Sequence, residues 1–143
     1  SIYGCYNEGV IETDGGNAGG IYGKDDGFDF DIKGCYNIGT VQGRQGGEVL
    51  GAITSSTADG SSVMASCYVR EKYAIAHATE ETVFGSSGWP TSTNNTVWYA
   101  DPSNDGTYTA GSDGVPTGNY KFWKSLGSWN GGTPEYPKLW WEK

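Results

Sequence analysis

The chain lacks a long apolar run. None of its hydrophobic stretches approaches the ~20 residues that a membrane-crossing helix needs, and no signal peptide opens it. Basic residues are few: nine Lys and Arg stand against seventeen Asp and Glu, for a formal charge of −8. No basic cluster exists, so phosphate-backbone binding has no footing and nucleic acid is not an expected partner. Histidine occurs once, at His77. That leaves no partner set for a triad or a histidine-rich metal site, and a structural or exposed role is expected. Cysteine is odd in number, at three, which excludes a complete disulfide framework within the chain. No C-x-x-C spacing supports zinc. Helix formers are scarce outside residues 68–82.

Glycine and aromatics are abundant instead. The 143 residues, one domain's worth, include 24 Gly, six Trp and ten Tyr, with aromatics at 14%. That aromatic content argues against disorder. Short apolar runs separated by Gly, Asn, Asp and Ser point to an all-β domain rich in tight turns.

The centre of the pattern is Gly34-Cys35-Tyr36-Asn37-Ile38-Gly39-Thr40-Val41. It is preceded by Gly4-Cys5-Tyr6-Asn7-Glu8-Gly9-Val10-Ile11 and followed by a decayed copy, Ser66-Cys67-Tyr68-Val69. The cysteines are offset by 30 (35 − 5) and 32 (67 − 35) residues. Self-similarity at this period marks a stacked repeat architecture. In the second, complete unit the expected strands are Ile32–Tyr36, Thr40–Val41 and Val49–Ile53. Gly19-Gly20-Ile21-Tyr22-Gly23 is matched with Gly46-Gly47-Glu48-Val49-Leu50-Gly51. Stacked strands lie about 4.8 Å apart, so the cysteines are expected as a column of buried, free thiols. Alternation puts Cys and Asn on one face and Tyr6, Tyr36 and Tyr68 on the other, as an outward column. Asn7 and Asn37 either form a ladder, lost at Val69, or sit at a corner and bond turn backbone.

Other stretches read more plainly. Gly15 to Gly20 lacks the Lys-Ser/Thr end of a phosphate loop and is read as turns. Lys24 to Asp31 carries four Asp without the spacing of a calcium loop, and is read as a solvated acidic turn. Between Arg70 and His77 a short helix competes with a strand. Thr79 to Gly85 reads as a further strand, Val83-Phe84-Gly85 echoing the Ile-Tyr-Gly and Val-Leu-Gly runs. From Trp89 the repeat is gone and the composition turns to Trp and Tyr around a polar loop, Asp101 to Gly118. The organisation expected is therefore repeats over 1–85 and a capping segment over 86–143, since a solenoid's end must be closed. The chain opens in mid-repeat, so it is read as a fragment with further modules preceding Ser1.

Gly-Cys-Tyr-Asn-x-Gly-x-Val followed by Gly-Gly-x-x-x-Gly resembles the repeats called GLUG motifs, found in bacterial surface and secreted proteins. The tail Phe122-Trp123-Lys124-Ser125-Leu126-Gly127-Ser128-Trp129-Asn130-Gly131-Gly132, with Tyr136-Pro137-Lys138-Leu139-Trp140-Trp141-Glu142, looks like the ending of such proteins from gut Bacteroidetes. The resemblance implies a right-handed parallel β-helix of about three coils with an aromatic-rich C-terminal cap, extracellular and displayed at the cell surface. It supplies no catalytic residues.

The leading functional expectation is a non-catalytic surface binding or adhesion module whose partner is a host or matrix glycan or protein. For carbohydrate, Trp89, Trp98, Tyr99, Tyr108 and Tyr120 are the candidate stacking residues, with Asp101, Asn104 and Asp105 as the candidate calcium site. The same tryptophans are also suited to the cap's own core, which is the stalk or terminal-cap reading. A polysaccharide-degrading β-helix would need paired carboxylates. Asp101, Asp105 and Asp113 are available on the loop, but nothing in the pattern supports them.

Overall fold

The computed structural model describes residues 1–24, 29–56, 61–90, 123–139 and 141–143. The fold is all-β, with one short 3-10 helix, Ala76–Glu80, among the described residues. The chain divides into two units, Ser1–Phe84 and Gly85–Lys143.

In the first unit each repeat lays down short strands. The first contributes β1 (Ile2–Tyr3), β2 (Tyr6–Asn7), β3 (Val10–Thr13) and β4 (Asn17–Gly19). The second contributes β5 (Asp31–Lys33), β6 (Tyr36–Asn37), β7 (Thr40–Gly43) and β8 (Val49–Gly51). The third contributes only β9 (Val63–Ala65) and β10 (Cys67–Val69), and β11 (Glu81–Val83) follows the 3-10 helix. All strand pairing among the described residues of this unit is parallel. The sheets run β1-β5-β9, β2-β6-β10-β11, β3-β7 and β4-β8. Ile2 pairs with Ile32 and Tyr6 with Tyr36, an offset of 30, while Asp31 pairs with Val63 and Tyr36 with Tyr68, an offset of 32. The cysteine offsets thus give the register of the strands.

The expected strand Ile32–Tyr36 is broken in two, and the cause is a corner. Gly4, Gly34 and Ser66 all have left-handed backbone, with φ of 60°, 60° and 51°. That region is natural for Gly and costs an L-residue about 1–2 kcal/mol. Each corner aims the following thiol back at the carbonyl two residues earlier: Cys5 donates to Tyr3 O at 3.5 Å, Cys35 to Lys33 O at 3.4 Å and Cys67 to Ala65 O at 3.4 Å. The cysteines are free. Cys35 and Cys67 are buried within a core of Phe30, Ile32, Ala52, Ile53, Met64 and Val69.

The Asn ladder forms, and it bonds the turn as well. Asn7 Nδ2 donates to Asn37 Oδ1 at 3.0 Å. Asn37 Oδ1 also accepts from Gly39 N at 2.9 Å, and its Nδ2 donates to Ala52 O at 2.8 Å. The amide therefore ties three parts of the second repeat to the first, from a site 2% exposed. Val69 replaces it in the third repeat.

Two expectations are corrected. Gly19 pairs with Gly51, and Tyr22 with Thr54, at an offset of 32; the match of Gly19-Gly20 to Gly46-Gly47 misplaces the run. What these two glycines share is close approach. A Cβ at Gly51 would stand 1.7 Å from Thr54 O, and one at Gly19 would stand 1.9 Å from Tyr22 O. The tyrosines, moreover, are not an exposed column. Tyr36 and Tyr68 are buried. Tyr6 stacks on Tyr36 at 5.1 Å and Tyr68 on Phe84 at 5.4 Å. Strand alternation separates the Cys and Tyr faces, but both faces are covered.

The second unit pairs β12 (Trp123–Ser125) with β13 (Lys138–Leu139) in antiparallel fashion. Trp123 and Leu139 are cross-strand partners and both are fully buried.

Replacing Asn37 by Ala removes from a buried site its bonds to the Ala52 carbonyl, the Gly39 amide and the Asn7 side chain. The expected loss is about 1–3 kcal/mol in urea unfolding, against less than about 1 kcal/mol for Asn7→Ala at the more exposed end of the ladder.

Candidate functional site

The first unit spends its distinctive residues on structure. Beside Cys5 stands the Cys35 thiol, which together with burial pushes the Cys5 thiol well above its ordinary range. For Cys35, Cys5 acts to lower the value, but Cys67 and burial outweigh it and push the thiol up. Thiolate is the reactive form, so these thiols are inert. His77 packs edge-on against Phe30 at 5.0 Å and pairs with Glu80 at 3.4 Å. Asp31 joins Tyr3 and Lys33. Partial burial works against its charge, but the Lys33 ammonium and the Tyr3 hydroxyl outweigh it and hold the carboxyl below the ordinary range. Glu12 is held below its ordinary range by Arg44 and then Gln42, across the β3–β7 pair. These are exposed contacts of small energetic weight. Among the described residues no group of three or more His, Cys, Asp or Glu is placed to hold a metal ion.

The second unit carries an aromatic cluster with both a fixed part and an open part. Trp89, half-buried, lies 6.1 Å from Tyr136 with the rings at 20°, and 6.1 Å from Trp129 with the rings at 48°. The Trp89 indole N–H donates to Leu126 O at 2.6 Å. A buried indole normally finds such a partner, and the bond fixes the ring's orientation. Trp129 is 37% exposed.

A short hairpin sets this geometry. Ser128 and Glu135 exchange both backbone hydrogen bonds, Ser128 N to Glu135 O at 2.9 Å and Glu135 N to Ser128 O at 3.0 Å. Trp129 leaves the pair on one side and Tyr136 on the other. The intervening loop turns through Gly131 and Gly132, with φ of 60° and 116°. Asn130 Nδ2 donates to Ser128 Oγ at 3.0 Å, and Thr133 Oγ1 to Asn130 O at 3.3 Å. Pro137, fully buried, fixes the exit. The hairpin that carries Trp129 and Tyr136 also carries the Asn130 amide, the Ser128 and Thr133 hydroxyls and the Glu135 carboxylate.

Of the sequence-derived candidates, Trp89 is in this cluster. Trp98, Tyr99, Tyr108 and Tyr120, and the calcium candidates Asp101, Asn104 and Asp105, lie outside the described residues. Trp129 and Tyr136 were not among the candidates. They stand 40 and 47 residues from Trp89 (129 − 89; 136 − 89), and no periodicity links them. The available signal was local: Trp-Asn-Gly-Gly reads as an aromatic at a turn.

The chain matches no family model, no curated protein and no solved structure.

Gly127 joins the Trp89 acceptor to the hairpin. Its φ is 56°, and a Cβ there would stand 1.9 Å from Glu135 O. Gly127→Ala is expected to break the Ser128–Glu135 pair and release Trp89. A red-shifted tryptophan emission and a loss of more than about 2 kcal/mol in unfolding would register it.

Proposed function

We propose that the chain is a non-catalytic surface binding module that recognises carbohydrate. In this reading, residues 1–84 wind as a right-handed parallel β-helix of GLUG-type repeats, and the C-terminal unit presents the aromatic site outside the cell. The observation that carries the reading is the Trp89–Trp129–Tyr136 cluster, with its fixed inner ring and its exposed outer one. A pyranose presents a face of C–H groups to a flat indole, and its hydroxyls need donors and acceptors at the rim. Asn130, Thr133 and Glu135 supply these within the same hairpin. Rings held in place by packing and a hydrogen bond lose little freedom on binding, which favours affinity. The parallel stacking of the repeats supports the β-helix, because each copy of the motif pairs in register with the next.

A second reading has its own support. Trp123 is fully buried, so part of the aromatic content of this unit is core. That favours a structural stalk or terminal cap.

A glycan array probed with the purified chain, with and without calcium, separates the two. Binding to a defined glycan class is expected, and Trp129→Ala should weaken it at least about tenfold while the circular dichroism spectrum is kept. If the unsubstituted chain binds no glycan, the stalk reading stands in place of the carbohydrate one. Binding that requires calcium would bring Asp101, Asn104 and Asp105 into the site.

A further inference from the structure

Glu81 occupies a place in the stack that the repeat fills with cysteine. It pairs in register with Cys67, and its side chain is buried, at 2% exposure. Strand β11 reaches that place by a route of 14 residues (81 − 67), where the earlier routes between stacked strands took 30 and 32. So short a route omits the second half of a repeat. Among the described residues, β7 pairs only with β3 and β8 only with β4, so each has one side without a strand.

Side chains from residues 70–81 take over the bonds that the missing strands would have made. Arg70 donates to Thr40 Oγ1 at 3.0 Å and to Gly39 O at 3.4 Å. Tyr73 donates its hydroxyl to Val41 O at 2.8 Å. One repeat earlier, the amides of Ile21 and Tyr22 both donate to Ile53 O at 2.9 Å. The Ile53 amide has no such carbonyl ahead of it, and Glu81 Oε1 accepts its N–H instead, at 3.0 Å. A carboxyl oxygen thus stands where the repeat would place a backbone carbonyl. Glu81 Oε2 is buried with no hydrogen-bond partner.

We infer that Glu81 is a proton-operated clasp: in its neutral form it holds residues 70–84 on the second repeat, and on ionisation it loosens them. The neutral acid offers Oε1 as an acceptor much as a carbonyl does. The carboxylate would bring a charge into the core with one backbone donor on Oε1 and none on Oε2, an arrangement that burial strongly disfavours. The surroundings do little to offset this. Strand β10 presents the Cys67 thiol. The loop before the helix presents Lys72, whose positive charge acts to favour the carboxylate, but less than burial opposes it. The 3-10 helix carries His77 and Glu80, which pair with each other. Arg70 is engaged on β7, Glu48 accepts from the Gln45 amide in its own loop, and β9 has no titratable side chain. Burial, then, sets the balance and pushes the Glu81 carboxyl up to about 7.

The sign follows from proton counting. With the clasp closed, Glu81 keeps its proton up to about pH 7; with it open, the carboxyl ionises near its ordinary value of about 4.3. Between these values the closed form binds more protons, so closure is strongest below the lower value and weakens as pH rises through the window. Opening would part Phe84 from Tyr68 and uncover Cys67.

Amide exchange at Ile53, followed by NMR at about pH 5 and about pH 8 and corrected for intrinsic base catalysis, reads the clasp directly. Protection is expected to fall at least about tenfold at the higher pH in the unsubstituted chain and to change less than about twofold in Glu81→Gln, which keeps a neutral acceptor. The Tyr36 amide, bonded to the Cys5 carbonyl on the far side of the second repeat, should stay level in both. An equal fall in both chains, or no fall in the unsubstituted one, overturns the proposal. Should Glu81→Gln fail to fold, the ¹³C shift of the Glu81 carboxyl in the unsubstituted chain decides: a midpoint near 7 supports the clasp, and one below about 5 removes it.

Discussion

Parallel strands one repeat apart hydrogen-bond in register, and each repeat leaves half of its backbone groups facing the next. Those groups are buried by the stack itself, so they must be bonded there. In the first unit this requirement reaches down to single residues. The corners at Gly4, Gly34 and Ser66 keep the strands short enough to turn. Gly19 and Gly51 let the backbone pass within contact of the next segment. Asn37 serves the groups that the corner leaves over. The apolar core of Ile32, Cys35, Ile53, Met64 and Val69 supplies hydrophobic stabilisation, but it is the hydrogen-bond register that dictates which residues meet.

The same requirement explains how the stack ends. When the third repeat loses its Asn and its Gly, the chain does not continue to a third pair of side strands. It returns after 14 residues, and Arg70, Tyr73 and Glu81 supply donors and an acceptor to the side of the second repeat that faces away from the first. Closing a sheet edge with side chains blocks further pairing. Two of the three substitutes are donors. The third is a buried carboxyl, so the closure acquires a protonation state.

The second unit solves a different problem. Among its described residues it buries Trp123 and Leu139 fully and gathers Trp89, Trp129 and Tyr136 into one cluster. Large flat rings bury much area per residue and have few torsions to fix. The binding and stalk readings therefore draw on the same aromatic residues and differ in what Trp129 meets.

The sequence by itself determined the all-β character, the period and the column of free thiols, because each is a one-dimensional pattern: a fixed offset carries a residue to its counterpart one repeat on. It left Asn7 and Asn37 open between a ladder and a corner, and the structure shows both. It did not reveal the burial of Tyr36 and Tyr68, since alternation says which residues share a face and not what covers it. Nor could it place Gly19 opposite Gly51 rather than near Gly46, because the choice depends on how long each turn is. Trp129 and Tyr136 join Trp89 through a hairpin closed in space, and the candidates from Trp98 to Tyr120 lie outside the described residues. Glu81 is the clearest case of what tertiary structure alone decided. It occurs once, echoes nothing, and resembles any surface glutamate in sequence. Its place arises because the fold brings its carboxyl to the Ile53 amide, 28 residues away along the chain.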